Sequence, residues 1–143
     1  MNYTIQLEHP PTEPDVKVLW DGLHDHNTRH SGSDEPQYLG IFLRDEQSAV
    51  CGGVYGWSAV AWLKIDVLWV REDLRGRGFG QKLLAAAEVE ARRRGCEFII
   101  LDSFSFQAPG LYRKNGYEEF AVLAHSSGAQ TWHYFRKNLR LEI

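Results

Sequence analysis

The spacing of apolar residues divides the chain into short strands and a few helices. Over seven stretches of six to nine residues, apolar and polar residues alternate or apolar residues run together, as they do in β-strands. The predicted strands cover residues 2–7, 38–44, 49–56, 62–70, 96–102, 117–124 and 131–139. Apolar residues recur at helical spacing over residues 16–29 and 80–94, and Pro109 is positioned to begin a third, short helix. Two predicted hairpins flank one strand–helix–strand crossover, so we expect a mixed α/β domain.

The helix predicted over residues 80–94 has one apolar side, which we expect to face the sheet. Its apolar stripe comprises Leu83, Leu84, Ala87 and Ala91. The charged residues expected to face water are Lys82, Glu88, Arg92 and Arg93. The arginines at positions 92–94 complement the helix dipole, and Gly95 is positioned to end the helix in the left-handed conformation.

Length and composition restrict the class of protein. A chain of 143 residues predicts one domain spanning residues 1–143. The net charge of −3 argues against a nucleic-acid partner. No stretch approaches the ~20 apolar residues of a membrane helix and no leader is apparent, so we expect a cytoplasmic protein without a membrane partner. Cys51 and Cys96 lack the spacing of a zinc site and are expected to be buried free thiols.

Three alternating glycines stand between a predicted strand and the helix that follows it. With few side chains at Gly76, Gly78 and Gly80, backbone N–H groups can converge on a bulky anion, and the helix adds the positive end of its dipole. A Walker loop would need Lys followed by Ser or Thr after the last glycine, and a dinucleotide fingerprint would need glycine in place of Gln81. The segment therefore predicts a diphosphate cradle of another kind.

Two segments together resemble a known family. Residues 75–80, Arg-Gly-Arg-Gly-Phe-Gly after a strand, resemble the acyl-CoA signature of the GNAT superfamily of N-acetyltransferases. Residues 104–117 resemble a later GNAT element, whose characteristic places are occupied by Ala108, Tyr112, Gly116 and Tyr117. The resemblance covers about residues 38–122. It implies a GNAT fold: a mixed, mostly antiparallel sheet of about six or seven strands with three or four helices, in which two splayed strands form the acetyl-CoA slot.

The resemblance also implies how acetyl-CoA, as cosubstrate, would be held. Backbone N–H groups from Arg75 to Gln81 would bind its pyrophosphate, and main-chain groups of Leu68 and Val70 would bind the pantetheine arm as an added strand does. Ser105 stands where family members often carry Asn, with Gln107 as a compensating neighbour. The predicted cofactor-binding residues are Leu68, Val70, Arg75, Gly76, Arg77, Gly78, Phe79, Gly80, Gln81 and Ser105. No metal is expected, because His26 and His30 have no third ligand nearby.

Acetyl transfer to an amine needs a base and an acid. Tyr112 is the candidate acid, because a phenol of pKa ~10 is protonated at neutral pH and can hand a proton to the departing sulfur. At the family's usual base position this chain has Lys64, so Asp66, on the same face of a regular strand, is the first candidate base. A bulge would turn it away. The alternative bases are His24, His26, His30, Asp34 and Glu35.

The acceptor is less constrained. If they line the pocket, acidic residues of the N-terminal helix and loop would attract a small cationic molecule, whose primary amine would attack the thioester directly in a ternary complex. These residues are Asp15, Asp21, Asp25, Asp34 and Glu35. Two alternatives stay open: a protein lysine or N-terminal acetyltransferase, and a non-catalytic acyl-CoA binding or sensing module. The resemblance also implies a possible homodimer through the last strands or a sheet edge.

Overall fold

A six-stranded mixed sheet carries the larger part of the chain. The computed structural model describes residues 1–32, 35–105 and 107–140, so Asp34 lies outside the described residues. The strands are β1 (Gln37–Arg44), β2 (Val50–Ala59), β3 (Trp62–Val70), β4 (Phe98–Phe104), β5 (Glu118–Ala124) and β6 (Thr131–Asn138). They lie in the order β1-β2-β3-β4-β6-β5, and every neighbouring pair is antiparallel except β3 and β4. The α-helices are α1 (Glu13–Ser31), α2 (Phe79–Arg93) and α3 (Pro109–Lys114).

The chain divides into two compact units, residues Met1–Glu35 and Pro36–Ile143. In the first unit, Thr12 caps the N-terminal end of α1, and its side chain accepts a hydrogen bond from the amide of Asp15. The strand predicted over residues 2–7 is wrong: these residues have no regular structure, and none of the described residues of this unit forms a second strand with which they could pair. The single-domain organisation stays a prediction.

The parallel pair at the centre of the sheet separates after three residues. Trp62, Leu63 and Lys64 of β3 pair with Phe98, Ile99 and Ile100 of β4, and neither strand pairs with the other beyond that point. Both strands continue for several residues, so a gap opens between them. The predicted splaying of the third strand from the crossover strand is thus confirmed.

A β-bulge interrupts β3 at the start of this gap. Tyr55 of β2 is paired with Val67, whereas the next residue, Gly56, is paired with Ile65. Asp66 is the extra residue and has no partner on β2. The regular strand that we assumed for Asp66 is therefore wrong at this position.

Helix α2 packs its apolar stripe against the sheet as predicted. Leu83, Leu84, Ala87 and Ala91 are buried. The expectation for Glu88 is wrong: this carboxylate is only 9% exposed and accepts hydrogen bonds from Lys137 and Tyr117. Helical periodicity did not identify it, because both partners come from distant parts of the chain.

The C-terminal end of α2 and the two thiols agree with the sequence analysis. Gly95 has a φ of +78°, and its amide donates to the carbonyl of Arg92. Cys51 and Cys96 are both buried and free. Among the helices of the described residues, none is both long and apolar enough to span a membrane.

Gly56 provides a test of the packing at the bulge. A Cβ at this position would lie 2.2 Å from the carbonyl oxygen of Lys64 and 3.1 Å from Cα of Ile65, so two strands would have to move apart. We expect Gly56→Ala to lower the free energy of unfolding by about 2 kcal/mol or more, measured by urea denaturation.

The matched control is Gly22→Ala in the interior of α1, where an added Cβ meets nothing within 4 Å. That change should leave stability unchanged or raise it by up to ~1 kcal/mol. Equal stability of Gly56→Ala and the unaltered protein would contradict the close strand approach.

Candidate active site

A cavity of about 820 Å³ occupies the gap between β3 and β4 and extends to the beginning of α2. Its volume is within the range of small-molecule and cofactor sites. The predicted site residues that line it are Asp66, Leu68, Val70, Arg75, Gly76, Gly78, Phe79, Gly80, Gln81 and Tyr112. Two predicted residues, Arg77 and Ser105, are not among the described residues that line it. The cavity also contacts residues that sequence reasoning missed, above all Asp102 and Trp69.

The edge of β3 that faces the cavity presents main-chain groups that β2 does not pair, and one of them, the carbonyl of Val70, accepts a hydrogen bond from Nε of Arg75. The amide of Arg71 donates to the carbonyl of Cys51 at 2.9 Å, which makes these two residues a hydrogen-bonded pair of the β2–β3 ladder. In an antiparallel ladder such pairs alternate with pairs whose groups point outward. Leu68 and Val70, opposite Val54 and Gly52, therefore direct their N–H and C=O groups away from β2, towards the gap. An extended chain containing amides would find matching partners there.

The glycine turn is shaped by backbone conformation. Gly76 has a φ of +73° and Gly78 a φ of +83°, in the left-handed region that favours glycine. No atom lies within 4 Å of a Cβ built on either residue, so conformation rather than space accounts for glycine here. Gly80 differs: a Cβ there would lie 3.2 Å from a methyl group of Leu111, so glycine lets α3 approach α2 closely.

The beginning of α2 presents a cluster of amides. Gly78 caps the helix without a side-chain hydrogen bond, and the first intrahelical bond runs from the amide of Lys82 to the carbonyl of Gly78 at 3.1 Å. The amides of Phe79, Gly80 and Gln81 therefore have no partner inside the helix. Together with the helix dipole, they suit an anion such as a diphosphate.

Arg75 and Arg77 differ from the amides around them. The amide of Arg75 already donates to the carbonyl of Glu72 at 3.2 Å, and its Nε donates to the carbonyl of Val70 at 2.9 Å. The backbone N–H of Arg75 that was predicted to bind the diphosphate is therefore already paired within the chain. The guanidinium of Arg77 lies 5.5 Å from the ring centroid of Phe79, and the ammonium of Lys82 lies 5.5 Å from the same ring. Both cations lie beside a residue that lines the cavity.

Tyr112 is a buried residue of α3 that lines the cavity. Its ring contacts Tyr117 edge-on at a centroid distance of 6.0 Å and Phe135 at 5.5 Å. Burial raises the pKa of its phenol above the ordinary value of 10.0, and the negative charge of Asp102 raises this pKa further. The phenol is therefore fully protonated at neutral pH and able to donate a proton.

A charged cluster lies where β3 and β4 begin to part. Lys64 Nζ lies 3.0 Å from Oδ1 of Asp102, 3.4 Å from Oδ1 of Asp66 and 3.1 Å from the carbonyl oxygen of Ile65. Trp132 Nε1 donates to Oδ2 of Asp102 at 2.8 Å, so both carboxylate oxygens of Asp102 have partners. The side chain of Asp66 remains 40% exposed, which makes it the more accessible of the two carboxylates.

The other predicted residues have different surroundings. The hydroxyl of Ser105 accepts the amide of Thr131 at 3.0 Å, which extends the β4–β6 pairing. Gln107 lines the cavity, and its side-chain oxygen accepts the amide of Phe104 at 2.7 Å. The alternative bases His24, His26, His30 and Glu35 belong to the N-terminal unit. Among the described residues, no three potential metal ligands come together.

The chain matches known acetyltransferases in sequence and in structure. The acetyltransferase (GNAT) family profile matches residues 3–117. An acetyltransferase of Agrobacterium fabrum is 36% identical over 118 residues, which are 81% of this chain and 86% of that protein. Blasticidin-S acetyltransferase of Streptomyces morookaense is 37% identical over 95 residues, 66% of this chain and 70% of that protein.

A crystal structure of an acetyltransferase from Bacillus cereus has a TM-score of 0.77 and 31% identity, covering 94% of this chain and 97% of that one. The family profile spans most of the chain, and the splayed strands and glycine turn lie where that family predicts them. The chain therefore belongs to the GNAT family of acetyltransferases and is an acyltransferase enzyme.

Proposed function

We propose that this enzyme transfers the acetyl group of acetyl-CoA to a primary amine of a small cationic molecule, by direct attack in a ternary complex. One observation carries the proposal. A single cavity joins the open edge of β3, the amides at the beginning of α2, a carboxylate at Asp66 and a protonated phenol at Tyr112. Acetyl-CoA supplies an activated acetyl thioester when bound. The chain's own residues bind the two substrates and transfer the protons.

Binding uses two sets of backbone groups. The amides from Gly76 to Gln81 hold the pyrophosphate, and Arg77 and Lys82 add positive charge beside them. The outward main-chain groups of Leu68 and the N–H of Val70 pair with the amides of the pantetheine arm, while the carbonyl of Val70 holds Arg75. An N–H near Leu68 is also positioned to polarise the thioester carbonyl.

Proton transfer uses two side chains. Asp66 accepts a proton from the incoming ammonium through a water molecule, which leaves a neutral amine able to attack. Tyr112 gives its proton to the departing sulfur, and the proton that the nitrogen releases as the amide forms restores the phenol by way of water. The state of the thiols supports direct attack. Cys51 and Cys96 are buried, neither is among the described residues that line the cavity, and burial raises the pKa of the Cys96 thiol.

Two observations support a small, cationic acceptor. The similarity to an enzyme named for blasticidin S favours a small molecule over a protein. The carboxylate of Asp66 lines the cavity and is accessible, so it attracts a cation as well as accepting a proton.

A panel of cationic amines assayed for thiol release from acetyl-CoA tests the proposed acceptor, with CoA binding measured alongside. Release with at least one small amine supports the proposal. CoA binding without release for any small amine contradicts a small cationic acceptor and favours the alternative, an acceptor amine on a protein.

Gly78→Ala tests the cradle. Alanine at a φ of +83° costs about 1 kcal/mol of stability and tilts the amides of the first turn of α2. We expect the KM for acetyl-CoA to rise roughly tenfold, which corresponds to weakening one charge-assisted hydrogen bond. Gly128→Ala is the matched control, because Gly128 has a φ of +69° and equally open surroundings. It should lose similar stability and keep its KM. Equal KM values for the two variants would contradict the cradle.

Asp66→Asn tests the base. We expect turnover to fall about 100-fold while acetyl-CoA affinity stays nearly unchanged, because the amide cannot accept the proton. The control is Asp73→Asn, which removes an exposed carboxylate paired with Arg71 and should not alter turnover. A variant whose pH–rate profile matches that of the unaltered protein would show that Asp66 is not the base.

Tyr112→Phe tests the acid. We expect kcat to fall about 100-fold with little change in the KM for acetyl-CoA. An acid works while protonated, so its rate is lost as pH rises through its pKa. Because the pKa of Tyr112 lies above 10.0, the unaltered protein should show no alkaline loss from this group up to about pH 9. Tyr38→Phe, at an exposed position outside the cavity, is the control. Full turnover in Tyr112→Phe would show that Tyr112 is not the acid.

A further inference from the structure

A buried ion pair joins helix α2 to strand β6. Lys137 Nζ lies 2.9 Å from Oε1 of Glu88, and the two residues are 8% and 9% exposed. Tyr117, itself buried, donates its hydroxyl to the same carboxylate oxygen at 3.2 Å. A buried ion pair of this kind is often no more stabilising than a well-packed apolar pair. Stability alone therefore does not account for its presence.

The ammonium of this pair also holds the end of α3. Lys137 Nζ donates to the carbonyl of Asn115 at 2.9 Å. Asn115 caps α3, and its amide donates back to the carbonyl of Tyr112 at 3.1 Å. The amide of Tyr117 donates to the same carbonyl at 3.0 Å. An unbroken series of bonds thus runs from Glu88 through Lys137 and Asn115 to the backbone of Tyr112.

A second route reaches the ring of Tyr112. The ring of Tyr117, whose hydroxyl is fixed on Glu88, contacts the ring of Tyr112 edge-on at 6.0 Å. The backbone and the ring of Tyr112 are therefore both connected, through these contacts, to the carboxylate of Glu88 on α2.

The same helix begins at the amide cradle. Glu88 lies ten residues after Gly78, which corresponds to about 15 Å along a rigid helix. The ion pair and the cradle therefore lie at fixed positions on one rigid helix. Helix α3 contacts this helix directly as well, where Leu111 approaches Gly80.

We propose that Glu88, Lys137 and Tyr117 are positioning residues, which set the phenol of Tyr112 at a fixed place relative to the amides that hold the diphosphate. This inference rests on the proposed function, since it assigns Tyr112 as the acid. General acid catalysis requires the phenol within hydrogen-bond reach of the leaving sulfur, and small displacements reduce the rate strongly. The ion pair supplies that placement without touching either substrate.

The test is the double variant Glu88→Met/Lys137→Met, made in the unaltered protein and in Tyr112→Phe. Methionine fills a similar volume, so the fold should persist with a urea midpoint close to the original. We expect kcat to fall about tenfold or more, with the KM for acetyl-CoA within about twofold. In the Tyr112→Phe background the same double change should alter kcat less than about twofold, because the group that it positions is gone.

Arg94→Met is the matched control. Arg94, which caps the C-terminal end of α2, is another largely buried cation, and it links Glu90 of the helix to Ser58 and to the carbonyls of residues 37 and 38. Its loss should lower the urea midpoint and leave kcat within about twofold, because these bonds lead away from α3. Glu88→Gln, which keeps the size and one acceptor oxygen, gives the same kcat comparison should the double methionine variant fail to fold.

Two kinetic results would overturn the inference. One is an unchanged kcat in a folded Glu88→Met/Lys137→Met protein. The other is an equal loss of kcat in the Tyr112→Phe background, which would show that the pair acts through another group.

A spectroscopic measurement distinguishes failure of the proposed function from failure of the positioning role. The difference in phenolate absorbance between the unaltered protein and Tyr112→Phe reports the ionisation of Tyr112. Burial raises the pKa of this phenol, and the negative charge of Asp102 of β4 raises it further. If no amine is acetylated, a shift of this ionisation towards pH 10 in the double methionine variant still supports positioning, because water then reaches the phenol. An unshifted ionisation together with unchanged acetyl-CoA binding contradicts it.

Discussion

The parting of β3 from β4 after Lys64 is the constraint on which the rest of the site depends. Three residue pairs join the strands, and beyond them the outward groups of Leu68 and Val70 have no neighbouring strand on that side. Unpaired main-chain groups inside a fold are costly unless water or a ligand satisfies them. The gap is therefore a local weakness of the sheet, and we propose it as the binding edge for acetyl-CoA. The glycine turn continues this edge, so the proposed site combines strand groups with helix amides along one elongated ligand.

The two ends of the gap differ in their charged and polar groups. Its closed end holds Lys64 between two carboxylates, of which Asp102 is fully engaged and Asp66 is open to the cavity. Its other end offers helix amides and the cations Arg77 and Lys82. Tyr112 lies between them in surroundings that keep it protonated. Asp66 is the extra residue of the bulge and still lines the cavity, so the bulge does not turn its carboxylate away as the sequence analysis expected.

Periodicity was enough to predict the sheet, α2 and the crossover, because each depends on local spacing of apolar residues. The glycine turn was predictable because positive φ angles favour glycine at residues 76 and 78, whereas its role as a diphosphate cradle stays a prediction. Asp102 was not, since its place beside Lys64 depends on the register of two distant strands. The burial of Glu88 was missed for the same reason, because Lys137 lies 49 residues further along the chain. The strand predicted over residues 2–7 failed because alternation does not supply a partner.

Titration of ¹⁵N-labelled protein with coenzyme A shows whether the open edge of β3 and the glycine turn form one ligand site, because each backbone amide gives its own signal. We expect the amides of Gly76, Gly78, Phe79, Gly80 and Gln81, with those of Leu68 and Val70, to shift and saturate along one binding curve. Saturation that leaves these amides unchanged while others shift would contradict a shared site, and so would the absence of binding.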